Sequence, residues 1–453
     1  MIKHKSLLLA AIFLAAFCFR FILLMKYGKE DFIFGINMAL KHAAVARNLV
    51  QFGAFSISPE YLAKLTAKSK EGDRQVLIDP DDVGDPNQEN PQPYMGRMPG
   101  YPLFLAAIWK ITGSKRFIHA QFLTLAMDSV AAAILTLMAL ELWGMAAGLC
   151  AGCLYALWPP LALLSITPGH DAPQASLIIF AFYFFLRGTR SRPIAAFSAA
   201  GLILGVASLL RQDALLVAVF MAVPIFFLAG PRRSLQALAL GSGLCLLVVV
   251  PWALRNKVVF GRVSLTPPVL GANLLIGLGE HPNPWNLPAN DEELKKFVQK
   301  RGSSALYFSE EFDRIATQEA LRIIKSHPFF YLKTMVKRFA RSLAPTFMPV
   351  YPGPYEYERD FGGGGLAYLR EFPWAAAAHF GLKFLALLLW PLSVLAFFLY
   401  PEMRKILFCA AMITCYYWAT HIPMHLEYRY LLPGFWPLFL LSAGSLCRIK
   451  SLH

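Results

Sequence analysis

Long apolar runs, separated by short polar turns, constrain this chain more than any other feature of its sequence. Residues 6–25, 235–250 and 375–400 contain few charged side chains. About 20 helical residues are enough to cross the roughly 30 Å hydrocarbon core of a bilayer. The composition agrees, since 57% of the residues are hydrophobic and only 16% are charged. The sequence therefore excludes a soluble globular protein and predicts an all-α polytopic membrane protein.

The basic residues indicate how the chain is oriented. They form short clusters between apolar runs, as the positive-inside rule requires of cytoplasmic loops. The formal charge of +15 is therefore interpreted as topogenic, with some contact to anionic lipids, and no nucleic-acid partner is expected. We predict a multi-pass protein of the plasma (inner) membrane with both termini in the cytoplasm.

About ten transmembrane helices are expected. The predicted spans are residues 6–25, 117–142, 146–165, 175–186, 194–210, 214–229, 235–250, 375–400, 406–420 and 435–447. Two large extracytoplasmic loops separate them and divide the chain into three segments. These are an N-terminal transmembrane catalytic module (1–254, spans 1–7, with loop 27–116), a second extracytoplasmic segment (255–373) and C-terminal transmembrane helices (374–453, spans 8–10).

Both loops contain stretches with helical periodicity that are too short or too polar to span a membrane. Residues 35–52 and 321–343 are amphipathic, and residues 98–112 are apolar but short. Such stretches are typical of interfacial or re-entrant helices.

No metal site is predicted. The seven cysteines lie in or beside apolar runs, which indicates neither a disulfide framework nor a zinc site. An acidic patch at Asp79, Asp81, Asp82 and Asp85 offers oxygen ligands, but its irregular spacing favours a solvated loop.

Three arginines lie at the predicted outer ends of spans, against the positive-inside rule: Arg211, Arg255 and Arg429. Each could reach lipid headgroups by snorkelling. Three on one side favour a bound anion such as a polyprenyl phosphate, because guanidinium groups bind phosphate in a bidentate manner.

Carboxylates share this side of the membrane. Glu30 and Asp31 follow the first span, and Asp171 lies in the turn after the third. They could be solvated bystanders, or one could act as a general base toward a hydroxyl group.

The order of these features resembles the GT-C superfamily of membrane glycosyltransferases, in its protein-mannosyltransferase-like and aminoarabinose-transferase-like branch. The matching stretches are AVARNLVQFGAFS, MPGYPLFLAAIWKITG, TPGHDAPQASLIIF, LLRQDALL, PWALRNKVVFGRVSLTPPVLGANLLIGLGE, ALRIIKSHPFFYLKTMVKRF and EYRYLLPGFWPLFLL. They cover most of the chain in family order, and PW-x-x-RN and RY-x-x-P are the most specific of them.

The resemblance implies inverting transfer of a sugar from a polyprenyl-phosphate donor to a hydroxyl acceptor, which would be a glycan, a lipid or a protein. It also implies a carboxylate base in the first loop and a supporting acidic residue at Asp171. The predicted donor-phosphate site consists of Arg255, Arg429 and Arg211, with Asn256 and Tyr430 from the same motifs. No redox cofactor is required, and a divalent cation is optional.

The sequence departs from the family pattern in the first loop. Family members usually carry an acidic residue about eight positions before the alanine that corresponds to Ala46. Here that position is Met38, with His42 midway and Asp31 and Glu30 further upstream. Either Asp31 takes the role across a local insertion, or His42 is the base, or the enzyme is degenerate.

A transporter or flippase of lipid-linked sugars is the alternative function. It too would use arginines to bind phosphate. Transporters tend to place ionisable residues near the bilayer midplane and to contain internal repeats. Here the ionisable residues gather in the predicted loops, which favours the enzyme.

Overall fold

The computed structural model describes residues 2–27, 36–58, 91–301, 305, 307, 309–344 and 365–452. Over this part of the chain the structure is helical apart from one short antiparallel ribbon, in which β1 (Ser56–Ile57) pairs with β2 (Gln92–Pro93). Helices are expected in hydrocarbon because they satisfy every backbone polar group within one segment. The predicted all-α, multi-pass membrane fold is confirmed.

The helices follow one another with short connections. Up to residue 260 they are α1 (Ile2–Tyr27), α2 (Ile36–Phe52), α3 (Gly100–Thr112), α4 (Phe117–Trp143), α5 (Met145–Ala156), α6 (Pro159–Ser165), α7 (Asp171–Arg190), α8 (Pro193–Leu210), α9 (Val217–Ala229), α10 (Pro231–Gln236) and α11 (Gly243–Phe260). The remaining helices are α12 (Leu270–Gly279), α13 (Asp291–Gln299), α14 (Glu310–Ser326), α15 (Pro328–Ser342), α16 (Gly365–Glu371), α17 (Pro373–Leu399), α18 (Arg404–His421), α19 (Tyr428–Leu431) and α20 (Trp436–Leu452). A π-helical stretch, Ala237–Ser242, joins α10 to α11.

Six helices in the described residues are long and apolar enough to cross a membrane, or up to eight if each of two bent pairs is one span. The first bent pair is α5 with α6, which meet at 58° before Pro159. The second is α19, with the 3₁₀ turn after it, and α20, which meet at 52°. The two other predicted spans coincide with α7 and α18, which are helical but have more polar ends. The count of ten stays a prediction.

The main hydrophobic core joins the first and third predicted segments. It contains Phe182 and Phe197 from the first segment, and Ile413, Trp436 and Phe439 from the third. A separate core lies within the second segment, where Leu275, Leu294 and Phe312 bury their side chains against one another. The segment boundaries themselves stay predictions.

Two expected elements differ in detail. The amphipathic stretch 321–343 is not one helix, because α14 ends before His327 and Pro328 begins α15; proline suits the first turn of a helix and interrupts one that is already formed. The helix expected to end near Pro251 continues through Phe260 to Gly261, whose positive φ of 75° suits glycine at a helix end. The predicted 254/255 boundary therefore falls inside α11.

Candidate functional site

A cavity of about 390 Å³ lies where the ends of several helices meet. Its wall comes from the residues before α3, the turn between α8 and α9, one side of α12 and the segment between α18 and α19. The turns at 211–213 and 421–434 are predicted from the sequence to be extracytoplasmic. Charged and aromatic side chains line the wall, among them Arg97, Arg211, Asp213, His421, Arg429 and Tyr430.

Asp171 lies behind the cavity wall and contacts two of its arginines, Arg211 and Arg429. Nη1 of Arg211 donates to Oδ1 of Asp171 over 2.7 Å, and Nη1 of Arg429 lies 3.7 Å from Oδ2. The carboxylate is only 2% exposed and is not part of the cavity wall. It begins α7, where the helix dipole favours negative charge. Asp171 therefore positions both guanidinium groups at the cavity.

Asp213 is a second carboxylate paired with Arg211. Nε of Arg211 lies 3.0 Å from Oδ2 of Asp213, and the side-chain amide of Gln174 donates to the same carboxylate. Nε2 of His421 lies 3.1 Å from Oδ2. Asp213 thus links the turn after α8 to the end of α18.

A third carboxylate, Glu427, holds Arg429 from the other side. Nε of Arg429 donates to Oε2 of Glu427 over 2.6 Å, and the hydroxyl of Tyr430 donates to Oε1 over 2.9 Å. Nε2 of His425 lies 3.4 Å from Oε1 of Glu427, and its Nδ1 lies 2.6 Å from Oε1 of Glu280. His425 therefore bridges two carboxylates.

The electrostatics of this bridge favour the charged form of each group. Burial lowers the pKa of His425, but the hydrogen bonds to Glu280 and Glu427 outweigh it and raise the pKa to about 9. Burial raises the pKa of Glu280, yet His425 holds it below the ordinary value. Burial acts likewise on Glu427, whose pKa is held well below the ordinary value by Arg429 and His425. His425 is therefore an imidazolium at neutral pH.

Helix α15 holds the segment that carries these residues. Nη1 of Arg338 donates to the carbonyl oxygens of Gly277, over 2.8 Å, and Met424, over 2.6 Å. The hydroxyl of Tyr331 donates to the carbonyl of Pro423 over 2.9 Å. A side chain at Gly277 would collide with Met424, so glycine permits this close approach.

His42 and His170 form a neutral pair at another part of the wall. Nε2 of His42 lies 3.0 Å from Nδ1 of His170, so one ring donates and the other accepts. Burial lowers the pKa of His42 well below its ordinary value, and His170 and Arg97 lower it further. Burial and Arg211 do the same to the pKa of His170.

The family model of dolichyl-phosphate-mannose-protein mannosyltransferases matches residues 92–254. In structure the chain is similar to the archaeal oligosaccharyltransferase AglB from Archaeoglobus fulgidus, solved in complex with an inhibitory peptide and a dolichol-phosphate. That similarity has a TM-score of 0.54 at 14% sequence identity and covers 99% of this chain and 50% of AglB. The chain therefore shares the fold of AglB, and about a third of its length matches the mannosyltransferase family model.

The chain spans about half the length of AglB. A weaker similarity, with a TM-score of 0.40 at 13% identity, is to ArnT from Cupriavidus metallidurans bound to undecaprenyl phosphate, and covers 100% of this chain and 79% of ArnT. No curated protein matches the chain significantly in sequence.

The GT-C fold brings together part of the predicted site. Arg211, Arg429, Tyr430 and His42 line the cavity, and Asp171 lies directly behind the two arginines. These residues come from four separate stretches of the chain and meet at one cavity.

Arg255 and Asn256 lie elsewhere. Nη1 and Nη2 of Arg255 donate to the carbonyls of Tyr94, over 3.0 Å, and Phe55, over 2.7 Å. Nδ2 of Asn256 donates to the carbonyl of Ser264 over 2.9 Å. Neither side chain is part of the cavity wall. Arg255 instead holds the β1–β2 ribbon, and the segment after β2 places Arg97 at the cavity.

Glu30 and Asp31 lie outside the described residues, as does the acidic patch Asp79–Asp85. Their predicted roles stay predictions. Among the residues that the structure does describe, no group of three or more His, Cys, Asp or Glu side chains could hold a metal ion. A divalent-cation requirement also stays a prediction.

The sequence analysis missed several residues of the site, namely Arg97, Asp213, Glu280, His421, His425 and Glu427. A signal existed for two groups of them. Asp213 is two residues from Arg211, and the short predicted turn before Arg429 contains two histidines and a glutamate. Polar residues so concentrated in turns between apolar helices indicate a site. For Arg97 and Glu280 we find no comparable local signal.

Proposed function

We propose that this protein is a membrane glycosyltransferase of the GT-C superfamily that transfers a sugar from a polyprenyl-phosphate donor to a hydroxyl group. The observation that carries the proposal is the convergence of Arg97, Arg211 and Arg429 on one cavity at the ends of transmembrane helices. The family match supports it, because residues 92–254 include the first two of these arginines. AglB, which shares the fold, was solved with a dolichol-phosphate.

Arg211 and Arg429 would bind the donor phosphate. Asp171 and Glu427 hold the two guanidinium groups in place before any ligand arrives, which limits the reorganisation needed on binding. As the sugar departs, negative charge grows on the phosphate oxygens. Arginines already fixed beside those oxygens stabilise the transition state more than the ground state.

The hydroxyl acceptor would attack the anomeric carbon from the side opposite the phosphate, so that the configuration inverts. The acceptor is a glycan, a lipid or a protein. No redox cofactor takes part, and a divalent cation is optional. Asp31, or Glu30 beside it, remains the carboxylate that the sequence predicts for the first loop.

The reaction would take place on the extracytoplasmic face of the inner membrane, with both termini in the cytoplasm and the protein surrounded by lipid. Labelling from outside intact spheroplasts tests this orientation in a background without native cysteines. Asn283→Cys should react and Thr189→Cys should be protected; the reverse pattern would refute the orientation.

The decisive experiment uses the purified full chain in detergent, without a bilayer. A panel of undecaprenyl-phosphate hexoses and pentoses is offered with cell-envelope glycans, lipids and proteins as acceptors, and release of undecaprenyl phosphate is measured. A transferase cleaves a donor under these conditions, whereas a flippase leaves every donor intact. Mass spectrometry of envelope glycans and polyprenyl-linked sugars, from cells with and without the gene, then identifies the natural donor and product.

A further inference from the structure

His421 and Asp213 form a hydrogen-bonded pair on the wall of the cavity. Nε2 of His421 lies 3.1 Å from Oδ2 of Asp213, across 208 residues of sequence. Both side chains line the cavity that contains Arg211 and Arg429. A histidine oriented by a carboxylate is a recurrent arrangement for accepting a proton from a hydroxyl group.

Asp213 is fixed as a carboxylate by its neighbours. Nε of Arg211 lies 3.0 Å from one oxygen, and the amide of Gln174 donates to the other. The hydroxyl of Tyr416 donates to the backbone carbonyl of Asp213. Because a carboxylate accepts hydrogen bonds, Nε2 of His421 is the protonated ring nitrogen, and the lone pair of the neutral ring lies on Nδ1.

The imidazole ring is also held by aromatic neighbours. It stacks on Tyr417 at 6.1 Å between centroids, with 17° between the planes. It also contacts Tyr430 at 5.2 Å, with the two rings tilted by 32°. The guanidinium carbon of Arg211 lies 3.9 Å from the centroid of the same Tyr430 ring. His421 and Arg211, a predicted phosphate-binding arginine, therefore contact the same Tyr430 ring and the same oxygen of Asp213.

Three other histidines line the wall, and none has this arrangement. Both ring nitrogens of His425 contact carboxylate oxygens, so this ring presents no free lone pair. His42 and His170 hydrogen-bond to each other. The nearest carboxylate oxygen to Nε2 of His170 belongs to Asp171 and lies 3.6 Å away, beyond hydrogen-bond distance. Neither ring is thus oriented by a carboxylate as His421 is.

We propose that His421, oriented by Asp213, removes the proton from the acceptor hydroxyl; this inference rests on the proposed transferase function. The proton passes from the hydroxyl oxygen to Nδ1 as that oxygen bonds to the anomeric carbon. The bond from this carbon to the donor phosphate breaks, and the phosphate leaves with the electron pair. The imidazolium then returns the proton to solvent. Asp213 is a positioning residue, since it acts through the ring.

The experiment compares His421→Ala, Asp213→Asn and Asp31→Asn in the full chain in lipid nanodiscs, with His379→Ala on α17 as the matched control. Release of undecaprenyl phosphate from the donor panel gives kcat, and binding of undecaprenyl phosphate is measured separately. General base catalysis is worth about 10² to 10⁴ in rate. His421→Ala should therefore lower kcat by that factor with little change in undecaprenyl-phosphate affinity, and added imidazole should restore part of the rate. Asp213→Asn should lower kcat less, and His379→Ala should match the wild type.

Wild-type turnover together with a near-normal rate for His421→Ala would overturn the inference, as would a loss that imidazole does not restore. A large loss confined to Asp31→Asn would assign the proton to the first loop instead. If the wild-type chain itself cleaves no donor, the proposed function is refuted, and this inference is refuted with it. The wild-type measurement alone separates that outcome from the others.

Discussion

Two buried networks of arginine and carboxylate differ in what they face. In the first, Nε of Arg20 on α1 donates to Oδ2 of Asp128 on α4 over 2.6 Å, and the hydroxyl of Tyr155 on α5 donates to Oδ1 over 2.6 Å. Arg20 also donates to the carbonyl of Ala156 over 2.7 Å. All of this lies between transmembrane helices, with Arg20 at 0% and Asp128 at 2% exposure. This first network joins α1, α4 and α5, and none of its residues lines the cavity at the helix ends.

The second network lies at the helix ends and opens onto the cavity. Basic and acidic side chains alternate along a chain of contacts that joins Arg341, Glu280, His425, Glu427, Arg429, Asp171, Arg211, Asp213 and His421. Both networks are built from ion pairs between arginine and carboxylate side chains. The comparison teaches that a buried ion pair serves packing where it is enclosed, and can serve binding where its arginines also reach a cavity.

The largest effect is expected from breaking the enclosed network. Asp128→Leu leaves the Arg20 charge without its carboxylate, and removing one partner of a buried pair costs about 3–5 kcal/mol. We expect loss of monodisperse protein, measured by size-exclusion chromatography in detergent. Arg20→Met combined with Asp128→Leu should recover most of the monodisperse protein, because replacing a whole buried ion pair by apolar residues often leaves the stability unchanged. A single variant that folds normally would show that the network does not hold the helices together.

Breaking the cavity network should affect function rather than folding. Arg429→Ala removes one fixed donor from the predicted phosphate, and losing such a donor costs about 10² to 10³ in kcat. Arg429→Lys should recover only part, since lysine lacks the bidentate fork. Arg301→Ala, a surface arginine paired with Glu319, is the control. Normal transfer by Arg429→Ala would remove this residue from the phosphate site.

Arg255 should behave like the enclosed network, although it lies in a motif predicted to bind phosphate. Arg255→Ala leaves the carbonyls of Phe55 and Tyr94 without their donor, which costs about 1–3 kcal/mol. We expect a lower thermal-unfolding midpoint and a moderate fall in activity. If instead the midpoint is unchanged and undecaprenyl-phosphate binding is lost, the original phosphate prediction for Arg255 is correct.

The smallest effect concerns pH. Because the pKa of His425 is raised to about 9, its contribution to stability is fully present below its ordinary pKa of about 6.5 and is lost as pH rises through about 9. The unfolding midpoint should therefore decline between these values. His425→Gln should remove this part of the decline, and an unchanged pH dependence in that variant would contradict the charge assignment.

Much of the fold was predictable because it depends on local pattern. Apolar length predicted the helices that are long enough to cross a membrane, periodicity predicted α2, and a short apolar run predicted α3. Pro328 also indicates the break between α14 and α15, but the sequence analysis did not predict this break because the amphipathic pattern continues across it. The site was predictable only in part, because arginines at helix ends are visible in sequence whereas their partners are not.

The sequence by itself determined that this chain is a helical membrane protein with basic residues at one set of helix ends. Only the tertiary structure decided which of them act together. Arg211 and Arg429 share Asp171 and line a cavity, whereas Arg255 is bonded to two backbone carbonyls away from it. The physical reason is the difference in which parts of the chain each effect connects. Hydropathy acts along one helix, but an ion pair acts over a few ångströms between segments whose proximity is set by how the helices pack.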